Sequence, residues 1–145
     1  MSKTFTVAEA QVLLPVLDAL LRRAQTMAAR ADELEGEMQE LSHRIFLTGG
    51  MHVDVVAAAR RRGERDKAAQ NAKDTLTEFD AIGVKVQDLQ EGLLDFPCQM
   101  GGETVLLCWK MGEPMITHWH ALEDDYSARK PLDARFDKSE RERPN

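Results

Sequence analysis

Leu93-Leu94-Asp95-Phe96-Pro97-Cys98-Gln99-Met100-Gly101-Gly102-Glu103-Thr104-Val105-Leu106-Leu107-Cys108-Trp109-Lys110 is the stretch on which the fold turns. A two-residue hairpin turn needs positive φ at both central positions, and adjacent glycines supply it without steric cost. Gly101-Gly102 therefore predicts two antiparallel strands, 93–100 and 103–110, with Met100 facing Glu103. Counting back from the turn sets Cys98 opposite Val105, Phe96 opposite Leu107 and Leu94 opposite Trp109. Asp95 falls opposite Cys108. Side chains alternate across a strand, so one face of this hairpin is wholly apolar and the other carries Asp95, Cys108, Gln99, Thr104 and Lys110. The two cysteines point to opposite sides of the sheet, which opposes a disulfide between them.

Downstream, Met111-Gly112-Glu113-Pro114 reads as a looser turn into a third strand, Met115 to Leu122, completing an antiparallel meander over about 93–122. This strand contains His118-Trp119-His120. Residues two apart on a strand share a face, so both imidazoles project to one side and the indole to the other. Should Trp119 join Trp109 on the apolar face, His118 and His120 share the polar face with Asp95 and Cys108, a donor set suited to zinc or another divalent transition metal. The opposite register puts the histidines over the apolar face, and the connection leaves both open. A pair of strand histidines is commonly just half-exposed and bonded to its neighbours. Cys108 as a nucleophile lacks the helix N-terminus or adjacent cation that reliably generates a thiolate. The tail, 133–145, is too charged to be ordered by burial, and disorder is expected there.

Upstream, Thr6 and Glu9 fit a capping box that starts a helix at Val7. Apolar or small residues recur at Leu13, Leu17, Leu20, Ala24, Met27, Ala31, Leu34, Met38, Leu41 and Ile45, the alternation of four and three that marks a helix packed along its length on another. Pro15 predicts a bend rather than a stop. The helix runs to about Leu47 and ends at Thr48-Gly49-Gly50. A second helix over about Val53 to Phe79 folds back, closing a coiled-coil-like antiparallel hairpin over about 6–79. Its basic run (Arg60, Arg61, Arg62, Arg65, Lys67) then lies level with Glu33, Glu35, Glu37 and Glu40, which reads as matched, solvated flanks. Asp80 to Glu91 reads as a link with a short strand around Val84-Lys85-Val86. The predicted class is α+β: a long antiparallel helical hairpin followed by a C-terminal three-stranded meander, within one domain over 1–132.

The chain has 145 residues, 43% hydrophobic and 30% charged, with net charge −6. That balance disfavours a surface built to neutralise phosphates, so nucleic acid is not an expected partner. The longest apolar run is interrupted by Pro15 and Asp18, and neither a leader nor a membrane span is expected. Two cysteines make no disulfide framework, and the cytoplasm is the expected location.

Several segments together resemble the uncharacterised prokaryotic family called domain of unknown function 2203. They are Thr4-Phe5-Thr6 before Glu9-Ala10, Leu13-Leu14-Pro15, Gly92-Leu93-Leu94-Asp95-Phe96-Pro97, Leu107-Cys108-Trp109, Gly112-Glu113 and Trp119-His120. Tyr126-Ser127-Ala128-Arg129-Lys130-Pro131 is similar to the family's Gly-Phe-Ala-Gly-Arg-Arg-Pro segment, with Asp125 and Ala128 standing where that pattern has glycines. His118 occupies a position commonly aromatic in the family, which makes His120 the stronger candidate. The resemblance implies the same architecture and points to Asp95, Cys108, Trp109, Glu113, Trp119, His120 and Arg129 without assigning a role. The candidate polar site is therefore Asp95, Cys108, Glu113, His120 and Arg129. No organic cofactor is expected. The leading functional expectation is a non-enzymatic interaction module, self-associating as a dimer through its helical hairpin. The alternative is a metal-binding protein or metal-dependent hydrolase using the polar face of the sheet.

Overall fold

The computed structural model describes residues 3–50 and 53–137, and the order of elements is two helices followed by strands. Helix α1 spans Val7–Thr48 and passes through Pro15 without ending. Its start follows from reciprocal capping: the Glu9 amide donates to Thr6 Oγ1 at 3.1 Å and the Thr6 amide to Glu9 Oε1 at 2.8 Å. Its end is closed by Gly49 at φ 66°, whose amide donates to the Ile45 carbonyl at 2.9 Å. Helix α2 spans Val55–Ile82, with Asp54 Oδ1 accepting from the Ala57 amide at 3.0 Å.

Five strands follow, β1 Lys85–Asp88, β2 Leu93–Met100, β3 Glu103–Lys110, β4 His118–Ala121 and β5 Lys130–Pro131. They form one antiparallel sheet in the order β1-β2-β3-β4-β5. The three-stranded expectation is corrected: each side of the meander gains a short edge strand, and β4 is shorter than the expected Met115 to Leu122. Ile116 is buried but lies in the connection, where its amide donates to Gln11 Oε1 at 2.6 Å.

The chain divides into two compact units, 1–21 with 77–145, and 22–76. In the first, Leu94, Phe96, Cys98, Val105, Leu107, Trp109 and Trp119 build a core with Phe5, Ala10, Leu14, Leu17, Leu21 and Phe79. The buried face of α1 here runs Ala10, Leu14, Leu17, Leu21, so it is rotated from the expected stripe, and Leu13 and Leu20 are only half-buried. Phe5 sets the geometry of entry, its amide donating to the Pro97 carbonyl at 2.7 Å and its ring meeting Phe96 edge-on at 5.8 Å. The tail also departs from expectation. Residues 134–137 form a helical turn, and Phe136 is buried against Trp119 with ring centroids 5.7 Å apart. The expectation of disorder for 138–145 lies outside the described residues.

In the second unit, Leu34, Ala24, Ala68 and Ala72 are buried and Met27, Ala31, Met38 and Leu41 are half-buried. Arg23 donates to Asn71, Arg30 pairs with Glu64, Arg65 with Glu35 and Arg61 with Glu37, so one helix ascends as the other descends. These exposed ion pairs balance charge and add little stability.

Gly92 joins β1 to β2 at φ 71°, and a Cβ placed there would lie 2.6 Å from Met111 Cβ. Gly101 also has positive φ, at 59°, but faces open space. Gly92→Ala should therefore destabilise the protein by about 2–4 kcal/mol and Gly101→Ala by only about 1 kcal/mol, read as urea midpoints. Equal losses would mean that the close approach to Met111 is unimportant.

Candidate functional site

Register decides what meets on the second face of the sheet. Asp95 pairs with Cys108, Cys108 with His118, and Leu106 with His120, while Leu107 pairs with Phe96 and Trp119. Trp119 therefore lies on the apolar face and both histidines lie on the face of Asp95 and Cys108. Strand β5 continues the rule: Pro131 pairs with His118 and Lys130 with Trp119, which sets Arg129 level with His120 and on the same side. The middle of that face is buried. Asp95, Cys108 and His120 are each about 1% exposed.

These three residues offer a carboxylate oxygen, Sγ and an imidazole nitrogen that all lie within 4.8 Å of one another. His120 Nε2 is 3.1 Å from Asp95 Oδ1, and His120 Nδ1 is 2.9 Å from the Ala121 carbonyl oxygen. A carbonyl only accepts, so Nδ1 carries a hydrogen. In the neutral ring, Nε2 then turns a lone pair towards a carboxylate oxygen, an arrangement that requires a cation between them, either a proton or a metal ion. Asp95 Oδ2 accepts from Gln87 Nε2 at 2.5 Å. Gln87 is the unpaired residue of a bulge where Val86 faces Leu94 and Asp88 faces Leu93, and bulges of this kind redirect side chains.

Cys108 is buried beside that carboxylate, and burial first, then the Asp95 charge, push its thiol up to about 11, against an opposing hydrogen bond and charge from Arg129. Arg129 is fixed on two sides. Its Nη1 lies 3.1 Å from Glu113 Oε2, and its guanidinium stacks 4.3 Å from the Tyr126 ring centroid. Glu113 is fixed in turn by the Lys110 amide, which donates to Oε1 at 2.8 Å, while its own carbonyl accepts from Trp109 Nε1 at 2.9 Å. Asp125 Oδ1 caps the short 3-10 turn Tyr126–Ala128, accepting from the Ser127 amide and hydroxyl, and those bonds lower its pKa.

Of the residues singled out from the sequence, Asp95, Cys108 and His120 meet, and Arg129 with its partner Glu113 adjoins Cys108. His118 stands apart: it is half-buried, its Nδ1 engages Thr117 Oγ1 at 2.8 Å, and it is not among the three converging donors. Gln87 and Tyr126 belong to the site and were not foreseen. Tyr126 is the chain's one tyrosine, the signal that could have drawn attention to it.

A metal-free route through Cys108 with His120 as its base is poorly served, because both ring nitrogens of His120 are engaged elsewhere. With a pKa near 11, Cys108 is about one part in a thousand thiolate at pH 8. Its alkylation in the folded protein should be slow at pH 8 and rise towards pH 11. Because the folded pKa exceeds the ordinary 9.0, the thiol's contribution to stability is complete below about 9 and is lost as pH rises through about 11. Rapid labelling of both cysteines at pH 8 without unfolding would contradict this burial.

Among the described residues no helix is long and apolar enough to cross a membrane. No curated protein and no solved structure matches the chain. A family match does extend over residues 3–132, which includes every donor of the buried cluster. On that match the chain belongs to the family described as an uncharacterized conserved protein, DUF2203.

Proposed function

We propose that the protein binds a divalent transition metal, zinc being the natural candidate, through Asp95, Cys108 and His120. The observation that carries this reading is the convergence of three buried donors with His120 Nε2 turned to Asp95 while Nδ1 is committed to a backbone carbonyl. A carbonyl-bound Nδ1 is the usual way that a ligating imidazole is oriented, and Gln87 orients Asp95 in the same manner. Ligand atoms around tetrahedral zinc lie about 3.5 Å apart, so closing the cluster from separations of 4.8 Å or less requires movements of about 1 Å. The raised Cys108 pKa is compatible with this role, since coordination itself deprotonates a thiol.

Protein purified without chelator or affinity tag should carry about one equivalent of metal by elemental analysis. Asp95→Asn and Cys108→Ser should each abolish stoichiometric retention, whereas His118→Ala should keep it. Gln87→Ala should weaken affinity by about 10- to 100-fold, as loss of an orienting partner does. No metal on purification and no thermal shift with zinc, manganese or nickel would end this reading.

A second reading, self-association through the helices, draws on the closed end of the helical unit. Ile45, Phe46, Leu47, Val55 and Val56 are exposed there, Phe46 at 84%, beside a groove of about 320 Å³ whose mainly apolar lining also includes Ser42 and Arg62. If each of the five covers on the order of 100 Å², a two-fold pair hides about 1,000 Å², the lower limit for a specific interface. Light scattering at micromolar concentration should give a dimer, and Phe46→Glu a monomer with unchanged helicity. A monomeric native protein would refute it.

A further inference from the structure

Asp95 and Cys108 do more than meet His120: both line a cavity of about 370 Å³, whose remaining walls are Gln87, Asp88, Leu93, Asp125, Tyr126 and Ser127. Gln87, Asp88, Asp125 and Ser127 are exposed residues, so the cavity joins the buried donors to the surface. Four-coordinate structural zinc is enclosed by four protein ligands, whereas three ligands and a solvent-facing position typify sites where the ion binds and activates small molecules. Only three histidine, cysteine or acidic donors converge among the described residues. Glu113 is committed to Arg129 and to the Lys110 amide, and Asp125, which lines the same cavity, is committed to the Ser127 amide and hydroxyl.

Resting on the metal-binding reading above, we infer that this centre is open, and that its free position takes a small, neutral or amine-bearing ligand entering through the Asp88–Tyr126 cavity. Charge selects the class. Asp88 and Asp125 stand on the walls, and Asp125 is held ionised at neutral pH by its bonds to the Ser127 hydroxyl and amide. No lysine, arginine or histidine lines the cavity. Arg129 reaches the Cys108 thiol but is paired with Glu113, and Lys110, 5.7 Å from the Tyr126 ring centroid, is paired with Glu91. A phosphate or other polyanion entering this cavity meets like charge at its mouth, while a neutral donor does not. The volume suits a small molecule and leaves room for a bound water when the ligand is absent.

The test loads the purified full chain with cobalt(II) and follows its visible spectrum. Imidazole serves as the neutral probe and inorganic phosphate as the anionic one. Imidazole at millimolar concentration should shift the cobalt bands, and phosphate should leave them unchanged. Asp88→Asn, which keeps an acceptor for the Glu91 amide, should let phosphate shift the bands. Cobalt bound with a spectrum that imidazole does not alter would mean a closed centre and would overturn this inference while sparing the metal-binding reading. A shift of the native bands by phosphate, or Asp88→Asn bands that phosphate leaves unmoved, would overturn the assigned ligand class. Failure of cobalt to bind at all would remove both.

Discussion

The pairing of β3 with β4 is the constraint on which both halves of the sheet's role depend. Because a strand's side chains alternate, the single choice that sets Leu107 opposite Trp119 also sets Cys108 opposite His118 and Leu106 opposite His120. A slip of one residue would put two imidazoles into a core made of Phe96, Leu107 and Trp109, and expose the indole. The core therefore enforces the site: burial of Trp119 is the favourable term, and delivery of His120 to Asp95 follows from it. The burden then falls on the second face, where a carboxylate, an imidazole and a thiol are all withdrawn from water. Such a cluster is stable only if its polar atoms are satisfied, and Gln87, the Ala121 carbonyl and Arg129 perform that service.

Much of this was legible in the sequence because it is local. Gly101-Gly102 determines the β2–β3 register to the residue, and Thr6 with Glu9 determines where α1 begins. The helical stripe was harder. Leu13-Leu14 and Leu20-Leu21 are adjacent pairs, so two stripes one residue apart are almost equally apolar, and only the sheet that α1 meets selects Leu14 and Leu21. The edge strands β1 and β5 were missed or left vague because four residues and two residues are too few to show a period, and β5 contains a proline. Phe136 was lost by averaging, one aromatic ring within a run of charges.

The site divides along the same line. Asp95 and Cys108 followed from the turn, and His120 followed once a register was chosen. Glu113 and Arg129 came from family resemblance alone, because their meeting depends on two connections whose paths no periodicity encodes. Gln87 reaches Asp95 only through a bulge, and a bulge leaves no mark in a strand pattern. His118 shows the opposite error: sharing a face with His120 is necessary for shared chemistry, and here it is insufficient, because its ring turns to Thr117.

Phe136 has a bearing on where this domain stops. The family match ends at residue 132, four residues before that ring. A chain cut at the family boundary would keep every donor of the buried cluster and lose the aromatic cover on Trp119, the residue whose burial holds β4 in register. The packed structure thus extends beyond the boundary that shared sequence marks, into a segment whose composition gives no hint that it belongs to the fold.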